Sequence, residues 1–219
     1  MGGILMILTD ISLMLQKGRA NEVKKLVQEA LDEGIDHNKI LNDGLLGGMN
    51  VIGRKFKANE IFVPEVLIAA RAMNSGMEIL KPVLTNKGVK PIGKAMICTV
   101  KGDLHDIGKN LVKMMFEGKG IEVIDLGVDI DGDQVIEGIK EHNPDILCLS
   151  ALLTTTMFSQ KEIIEALIEV DIRKEVAIMI GGAPVTKEYA VQIGADSYRP
   201  DAASAAEWAA DYLKEKYNV

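Results

Sequence analysis

The densest run of chemistry-bearing side chains in this sequence is Lys101-Gly102-Asp103-Leu104-His105-Asp106-Ile107-Gly108-Lys109-Asn110. A neutral imidazole is a good ligand for a borderline metal, and a carboxylate on its other ring nitrogen fixes the tautomer and raises its basicity. Asp103, two residues before His105, is spaced to form such a relay. The same residues also allow a plainer arrangement, in which His105 makes a loop hydrogen bond and Asp103 or Asp106 caps a following helix. The other histidines are His37, in a region of helical periodicity, and His142, beside Glu141 and Asn143. Both read as surface residues. A bare ion would recruit more than one strong side-chain ligand. A lone His105 therefore suits a metal that arrives inside a macrocycle with only an axial position open to protein.

Two further stretches have the character of ligand loops: Ser150-Ala151-Leu152-Leu153-Thr154-Thr155-Thr156 and Gly181-Gly182-Ala183-Pro184. Ser150 and Thr154 offer short hydroxyls for the polar atoms of an otherwise apolar ligand, or serve simply as turn formers. Gly181 and Gly182 let backbone approach a bulky group closely, or take a positive φ in a tight turn.

The elements that must carry these loops fall into two halves. From Thr9 to about Lys81 apolar residues recur at helical spacing: Val23, Leu26, Val27, Ala30, Leu31; then Leu45, Met49, Ile52, Phe56; then Val63, Val66, Leu67, Ala70, Met73, Met77. Asp10 and Asn21 are placed as N-caps, Gly18 and Gly34 as C-terminal stops, and Pro64 with Glu65 suits a first helical turn. This half reads as a four-helix bundle. From Lys94 onward, short apolar runs (Ala95–Val100, Glu122–Leu126, Ile146–Ser150, Val176–Ile180 and Ser197–Tyr198) alternate with helical stretches near Ile107–Glu117, Gly132–Glu141, Ser159–Glu169, Lys187–Ile193 and Ala202–Lys216. Nearly continuous apolar strands alternating with helices mean a doubly wound α/β domain with a parallel sheet covered on both faces. The boundary is placed between residues 90 and 91, with Thr85-Asn86-Lys87-Gly88-Val89-Lys90-Pro91 as linker. Ligands of such sheets bind beyond the carboxyl ends of the strands, and the three singled-out loops all follow strand ends.

Composition narrows the function classes. The 219 residues carry 32 acidic against 25 basic side chains, a net charge of −7, with no long Lys/Arg cluster and few aromatics to stack bases. Nucleic acid is therefore not expected as a partner. The apolar start, Met1 to Leu8, is brief, lacks a basic leader and meets Asp10 at once, so neither a secretory signal nor a membrane span is expected and the location expected is cytoplasmic. Cys98 and Cys148 each sit in an apolar strand run and read as buried thiols.

Taken together the loops resemble the cobalamin-binding domain shared by cobalamin-dependent methionine synthase and the small corrinoid proteins of methyl-transfer systems. That family carries Asp-x-His-x-x-Gly, then Ser-x-Leu, then Gly-Gly; here stand Asp103-Leu104-His105-Asp106-Ile107-Gly108, Ser150-Ala151-Leu152 and Gly181-Gly182, with 41 residues between Gly108 and Ser150 and 28 between Leu152 and Gly181. The helical half resembles the family's four-helix cap through Gly48-Met49-Asn50-Val51-Ile52-Gly53 and Phe62-Val63-Pro64-Glu65-Val66.

The resemblance implies a cobalamin bound base-off with His105 as cobalt ligand, Asp103 hydrogen-bonded to His105, and Gly102 to Gly108 forming the loop around it. It implies that Ser150 bonds a lower-face group, that Leu152 is among the cofactor-binding residues, that Thr154 and Ala202 line the pocket for the nucleotide tail, and that Gly181 and Gly182 make room for it. Phe56, Val63 and Val66 match positions against the upper, methyl-bearing face, although each is also an ordinary bundle-core type; Asn42 matches a polar cap position poorly.

The role implied is a methyl carrier. It would accept a methyl group on cob(I)alamin from a substrate-specific methyltransferase and deliver it as methylcobalamin to a second methyltransferase with a folate or thiol acceptor. A reductive activation protein is a further implied partner. Bundle and sheet use all 219 residues, leaving none for a barrel that would activate a methyl donor. The expectation is thus a corrinoid subunit of a multi-component methyltransferase rather than a complete enzyme, with donor selectivity in the partner and a hinge at Asn86–Pro91. The alternative is a cobalamin-binding sensor without turnover. That role calls for an output module such as a basic helix pair, and no basic region offers one. A nucleotide-binding or signalling domain calls for a Gly-x-Gly-x-x-Gly loop or an acidic pocket with a downstream Lys, and neither is evident.

Overall fold

The computed structural model describes residues 2–86 and 90–218. It divides into two units: residues up to Pro91 with Gly118–Gly120, and Ile92–Glu117 with Ile121 onward.

The first unit is helical: α1 (Gly2–Gln16), α2 (Ala20–Asp32), α3 (His37–Lys39) running through a π-helical stretch (Ile40–Leu46) into α4 (Gly47–Lys57), and α5 (Val63–Asn86). Counting the run from His37 to Lys57 as one, four helical segments pack around Ile11, Leu15, Val23, Val27, Leu45, Met49, Ile52, Val66 and Met73. Gly44 and Gly48 explain how α1 comes close, since a Cβ at Gly48 would lie 3.1 Å from the Leu15 side chain and 3.2 Å from the Ser12 carbonyl. Gly18 and Gly34, with φ of 68° and 75°, stop α1 and α2 as expected.

Three expectations need correction. Helix α1 begins at Gly2 rather than near Thr9 and buries Leu8, Ile11 and Leu15; Asp10 is mid-helix and so is not its N-cap. Asn21 lies inside the first turn of α2, whose N-cap is Arg19. Helix α5 carries on through Thr85 and Asn86, so those two residues are not linker; Lys87 to Val89 lie outside the described residues.

The second unit alternates β1 (Lys94–Val100), α6 (Ile107–Glu117), β2 (Glu122–Ile130), α7 (Gly132–His142), β3 (Ile146–Ser150), α8 (Phe158–Glu169), β4 (Ala177–Gly181), α9 (Lys187–Ile193), β5 (Ser197–Tyr198) and α10 (Ala202–Tyr217). The sheet is parallel in the order β2-β1-β3-β4-β5. Strand order reverses at β1, so the loops after β1 and β3 flank the switch point where doubly wound sheets bind ligands.

Helix starts are fixed by side chains. Asp131 makes a capping box with Gln134, and Thr186 and Asp201 accept from the amides of Tyr189 and Ser204. Strand β2 runs to Ile130, beyond the Leu126 read from its apolar pattern, because Gly127 (φ 96°) and Asp129 (φ 59°) carry it through two register shifts that interrupt the pattern. Cys98 and Cys148 are buried and free, and burial pushes the Cys98 thiol up to about 12 and raises that of Cys148 as well.

At the amino edge of the sheet, buried Asp145 ties α10 to β1. It accepts from the Lys216 ammonium (2.7 Å), the Tyr217 hydroxyl (2.6 Å) and the Lys94 amide (2.8 Å). Burial pushes its carboxyl upward, but those three donors outweigh burial and hold it below the usual carboxylate range. A depressed carboxylate stabilises the fold above its unfolded value of about 4 and loses that contribution as pH falls through the folded value. Asp145→Ala should therefore cost roughly 2–4 kcal/mol near neutrality, with the gap to wild type narrowing below about pH 4. Urea unfolding at pH 7 and pH 3 checks this; equal midpoints at pH 7 would refute it.

Candidate functional site

Strand β1 ends at Val100, and the Asp103 amide donates back to the Val100 carbonyl (3.1 Å) across a turn in which Gly102 has φ 81°. The Thr99 hydroxyl grips the His105 carbonyl (2.8 Å) from below. Within the loop, Asp103 Oδ1 accepts from the His105 amide (3.0 Å) and stands 2.7 Å from the ring Nδ1. Its Oδ2 accepts from the Leu152 amide and the Thr156 hydroxyl, each at 2.7 Å. Asp103 is only 1 % exposed.

Burial alone would raise the Asp103 carboxyl. The donors Thr156, His105 and Leu152 reverse that and hold it far below the usual range. An ionised carboxylate can only accept, so Nδ1–H of His105 is the donor in this pair, and Nε2 has no bond among the described residues. The His105 side chain is 52 % exposed.

The relay is therefore built, and Asp103 does not cap α6. Asp106 stands just before the helix, its carboxylate accepting from the Asn110 side-chain amide (3.0 Å). Helix α6 is anchored from beneath by buried Lys109, whose ammonium lies 2.7 Å from both oxygens of Asp125.

Near His105 in the chain, Leu104 and Ile107 are about seven-tenths exposed, and Leu152 and Leu153 of the loop after β3 and Phe158 at the start of α8 are also exposed. A Cβ on Gly108 would meet nothing within 4 Å. Uncovered leucines and isoleucines on loops at a sheet edge form the apolar surface a large ligand would cover.

The β3 and β4 loops hold the rest. Ser150 is half-buried and Thr154 exposed. Gly181 pairs with Ser150, and its carbonyl accepts from the Ala151 amide (3.2 Å). Gly182 has φ 132°, and a Cβ there would run into the Ala151 carbonyl. Its lack of a side chain is required by the β3–β4 packing itself. Buried Gln160 staples the same two strand ends, donating to the carbonyls of Leu149 (2.9 Å) and Gly181 (3.1 Å). Ala202 is buried at the first position of α10, also at the carboxyl edge.

The other named residues belong to the helical unit: Phe56 and Val63 are half-buried, Val66 is fully buried, and Asn42 lies exposed in the π-helical stretch. His37 and His142 are half-buried and pair loosely with Asp36 and Glu141, both at 3.8 Å.

Sequence reasoning missed Thr156 and Gln160. Thr156 is one of three consecutive threonines, and only tertiary packing decides which of them is buried.

Comparison with known proteins supplies the class. Residues 93–207 match the B12 binding domain family, and residues 7–81 match a second B12 binding domain family. The chain is 39% identical to a corrinoid protein of Desulfitobacterium hafniense, covering 94% of this chain and 97% of that one. It is 43% identical to trimethylamine corrinoid protein 1 of Methanosarcina acetivorans, over 80% of this chain and 82% of that one. The methanol:cobalamin methyltransferase complex MtaBC of Methanosarcina barkeri contains a chain that superposes with a TM-score of 0.85 at 31% identity, over 95% of this chain and 80% of that chain.

The chain belongs to the B12-binding corrinoid proteins, with an N-terminal helical domain and a Rossmann-like B12-binding domain, and its cofactor is a corrinoid. Its relatives are corrinoid proteins of methylamine and methanol methyltransferase systems. The donor set fits such a group. Among the described residues no cluster of three or more His, Cys, Asp or Glu side chains could hold a bare ion, and the loop instead presents one imidazole amid exposed apolar side chains. Among the same residues no helix is long and apolar enough to cross a membrane.

Two substitutions probe this architecture in the cofactor-free protein. Thr156→Val removes one donor at nearly constant shape; it should cost about 1–3 kcal/mol and raise the Asp103 carboxyl value, so that this group gains its proton at higher pH in a carbon-13 NMR titration. Gly182→Ala must strain both φ and the Ala151 carbonyl and should cost more than about 2 kcal/mol in a urea melt.

Proposed function

We propose that the chain is the methyl-carrying corrinoid subunit of a multi-component methyltransferase, with His105 as axial cobalt ligand. One observation carries this reading: a half-exposed imidazole whose Nδ1 is committed to a buried carboxylate while Nε2 has no partner among the described residues. When bound, the corrinoid supplies a cobalt centre that takes up a methyl group and gives it up again.

The chain's own residues do the rest. Asp103 keeps the proton on Nδ1 and directs Nε2 outward. The same carboxylate would steady the His105 ring whether or not its other nitrogen is engaged by a corrinoid. Gly102, Leu104, Asp106, Ile107 and Gly108 form the surface beneath the macrocycle. Ser150, Leu152, Thr154, Gly181, Gly182 and Ala202 are assigned to the lower face and nucleotide tail, and Phe56, Val63 and Val66 to the upper face. These assignments rest on the resemblance and on the shared edge of the sheet. The domain boundary is placed between residues 90 and 91.

The partners proposed are a substrate-specific methyltransferase, a second methyltransferase to a folate or thiol, and a reductive activation protein. The relatives' methylamine and methanol systems favour a small donor whose methyl group is carried on nitrogen or oxygen.

Wild-type protein reconstituted with hydroxocobalamin and desalted should stay coloured, with a visible spectrum showing imidazole ligation. His105→Ala should bind more weakly and lose that spectral signature. A colourless wild-type protein, or an unchanged spectrum in the variant, would defeat the proposal.

A further inference from the structure

The His105 loop is gripped from both sides, by the loop after β3 and by β2. On the other side, β2 outruns β1: Ile97 pairs with Asp125 and Val100 with Ile130, so β2 advances further over the same stretch. The extra length delivers Asp129 to the base of the loop at φ 59°, a left-handed conformation that aspartate tolerates better than most side chains. There Asp129 Oδ1 accepts from the Gly102 amide (2.7 Å), and its own amide donates to the Asp103 carbonyl (3.1 Å). One residue thus clamps both ends of the Gly102–Asp103 dipeptide, and both of its bonds depend on the bulged path of β2.

We propose that Asp129 is a positioning residue for the axial-ligand loop, presetting Asp103, and through it the His105 ring, before a corrinoid arrives. The proposal rests on the corrinoid reading above and adds an anchor from β2 to those from β3. With the dipeptide fixed at two points, the carboxylate of Asp103 starts where Leu152, Thr156 and the ring need it, and less ordering is left for the moment of binding.

Three substitutions separate the clamp from the backbone strain. Asp129→Asn keeps an acceptor and a tolerance for left-handed φ, so it should behave as wild type. Asp129→Gly relieves φ but deletes the carboxylate; Asp129→Ala deletes the carboxylate and worsens φ.

In the cofactor-free protein, amide exchange at Gly102 should quicken about fivefold or more in both Gly and Ala variants, the loss of roughly one hydrogen bond, while the Asn variant stays within about twofold of wild type. After loading with hydroxocobalamin, release of the corrinoid should quicken by a similar factor in Gly and Ala alike, even though Gly melts at the higher temperature of the two. Release rates that simply follow melting temperature, or a Gly variant with wild-type exchange and release, would overturn the positioning role. A wild-type protein that takes up no corrinoid would instead overturn the carrier reading and the positioning role with it, whatever the exchange rates.

Discussion

The site depends on a carboxylate removed from water with no lysine or arginine paired to it among the described residues. An isolated ionised carboxylate in such a place is strongly disfavoured and would ordinarily protonate. Asp103 stays charged because four donors converge on it, two from its own loop and two from the loop after β3. Everything chemical about His105 follows from that charge. An acceptor-only partner dictates which ring nitrogen holds the proton, and so which one is free. The arrangement also couples distant parts of the fold: the Leu152 amide and Thr156 hydroxyl reach Asp103 only if β3 ends where it does, and that end is fixed by Gln160 and by the bare backbone of Gly182 against Ala151.

Sheet topology explains why these groups can meet at all. Strands β1 and β3 are adjacent at the switch point although 45 residues lie between Val100 and Ile146. Their loops turn away to helices on opposite faces, leaving the gap that each fills with one side of the Asp103 network. Strand β2 closes the other flank. Its interruption by Gly127 and Asp129 is a departure from regular pairing placed beside the site, where bulges commonly re-aim side chains.

Much of this was legible in the sequence because the sheet is buried on both faces. Strands β1, β3 and β5 and helices α6 and α9 stand within a residue of their expected limits, since continuous apolar runs broken by polar loops leave little freedom. The relay was legible too, as Asp-x-His needs no distant information. What was hidden has tertiary causes. Asp10 has the right type for a cap, but the helix had already begun upstream. The tail of β2 does not look like a strand, since its apolar pattern gives way to Gly127-Val128-Asp129 and the pairing persists through bulges. Thr156 is chemically identical to Thr154 and Thr155, and only the position of Asp103, 53 residues earlier, distinguishes it. For Gly182 the sequence leaves open room for a ligand or a positive φ; the φ of 132° meets the second, and the contact with Ala151 is a further, tertiary cause.

The division of labour within the relay bears on why a carrier would use it. A ligand that must leave a metal and return needs a mobile ring beside a fixed partner. Of the four bonds to Asp103, only the one to the ring nitrogen can be altered without moving backbone or the buried Thr156. If the ring swings away, Oδ1 keeps the His105 amide and Oδ2 keeps both of its donors, so the buried charge is never left bare. The Asp103 carboxylate would therefore keep its place and its other three donors through any movement of the ring.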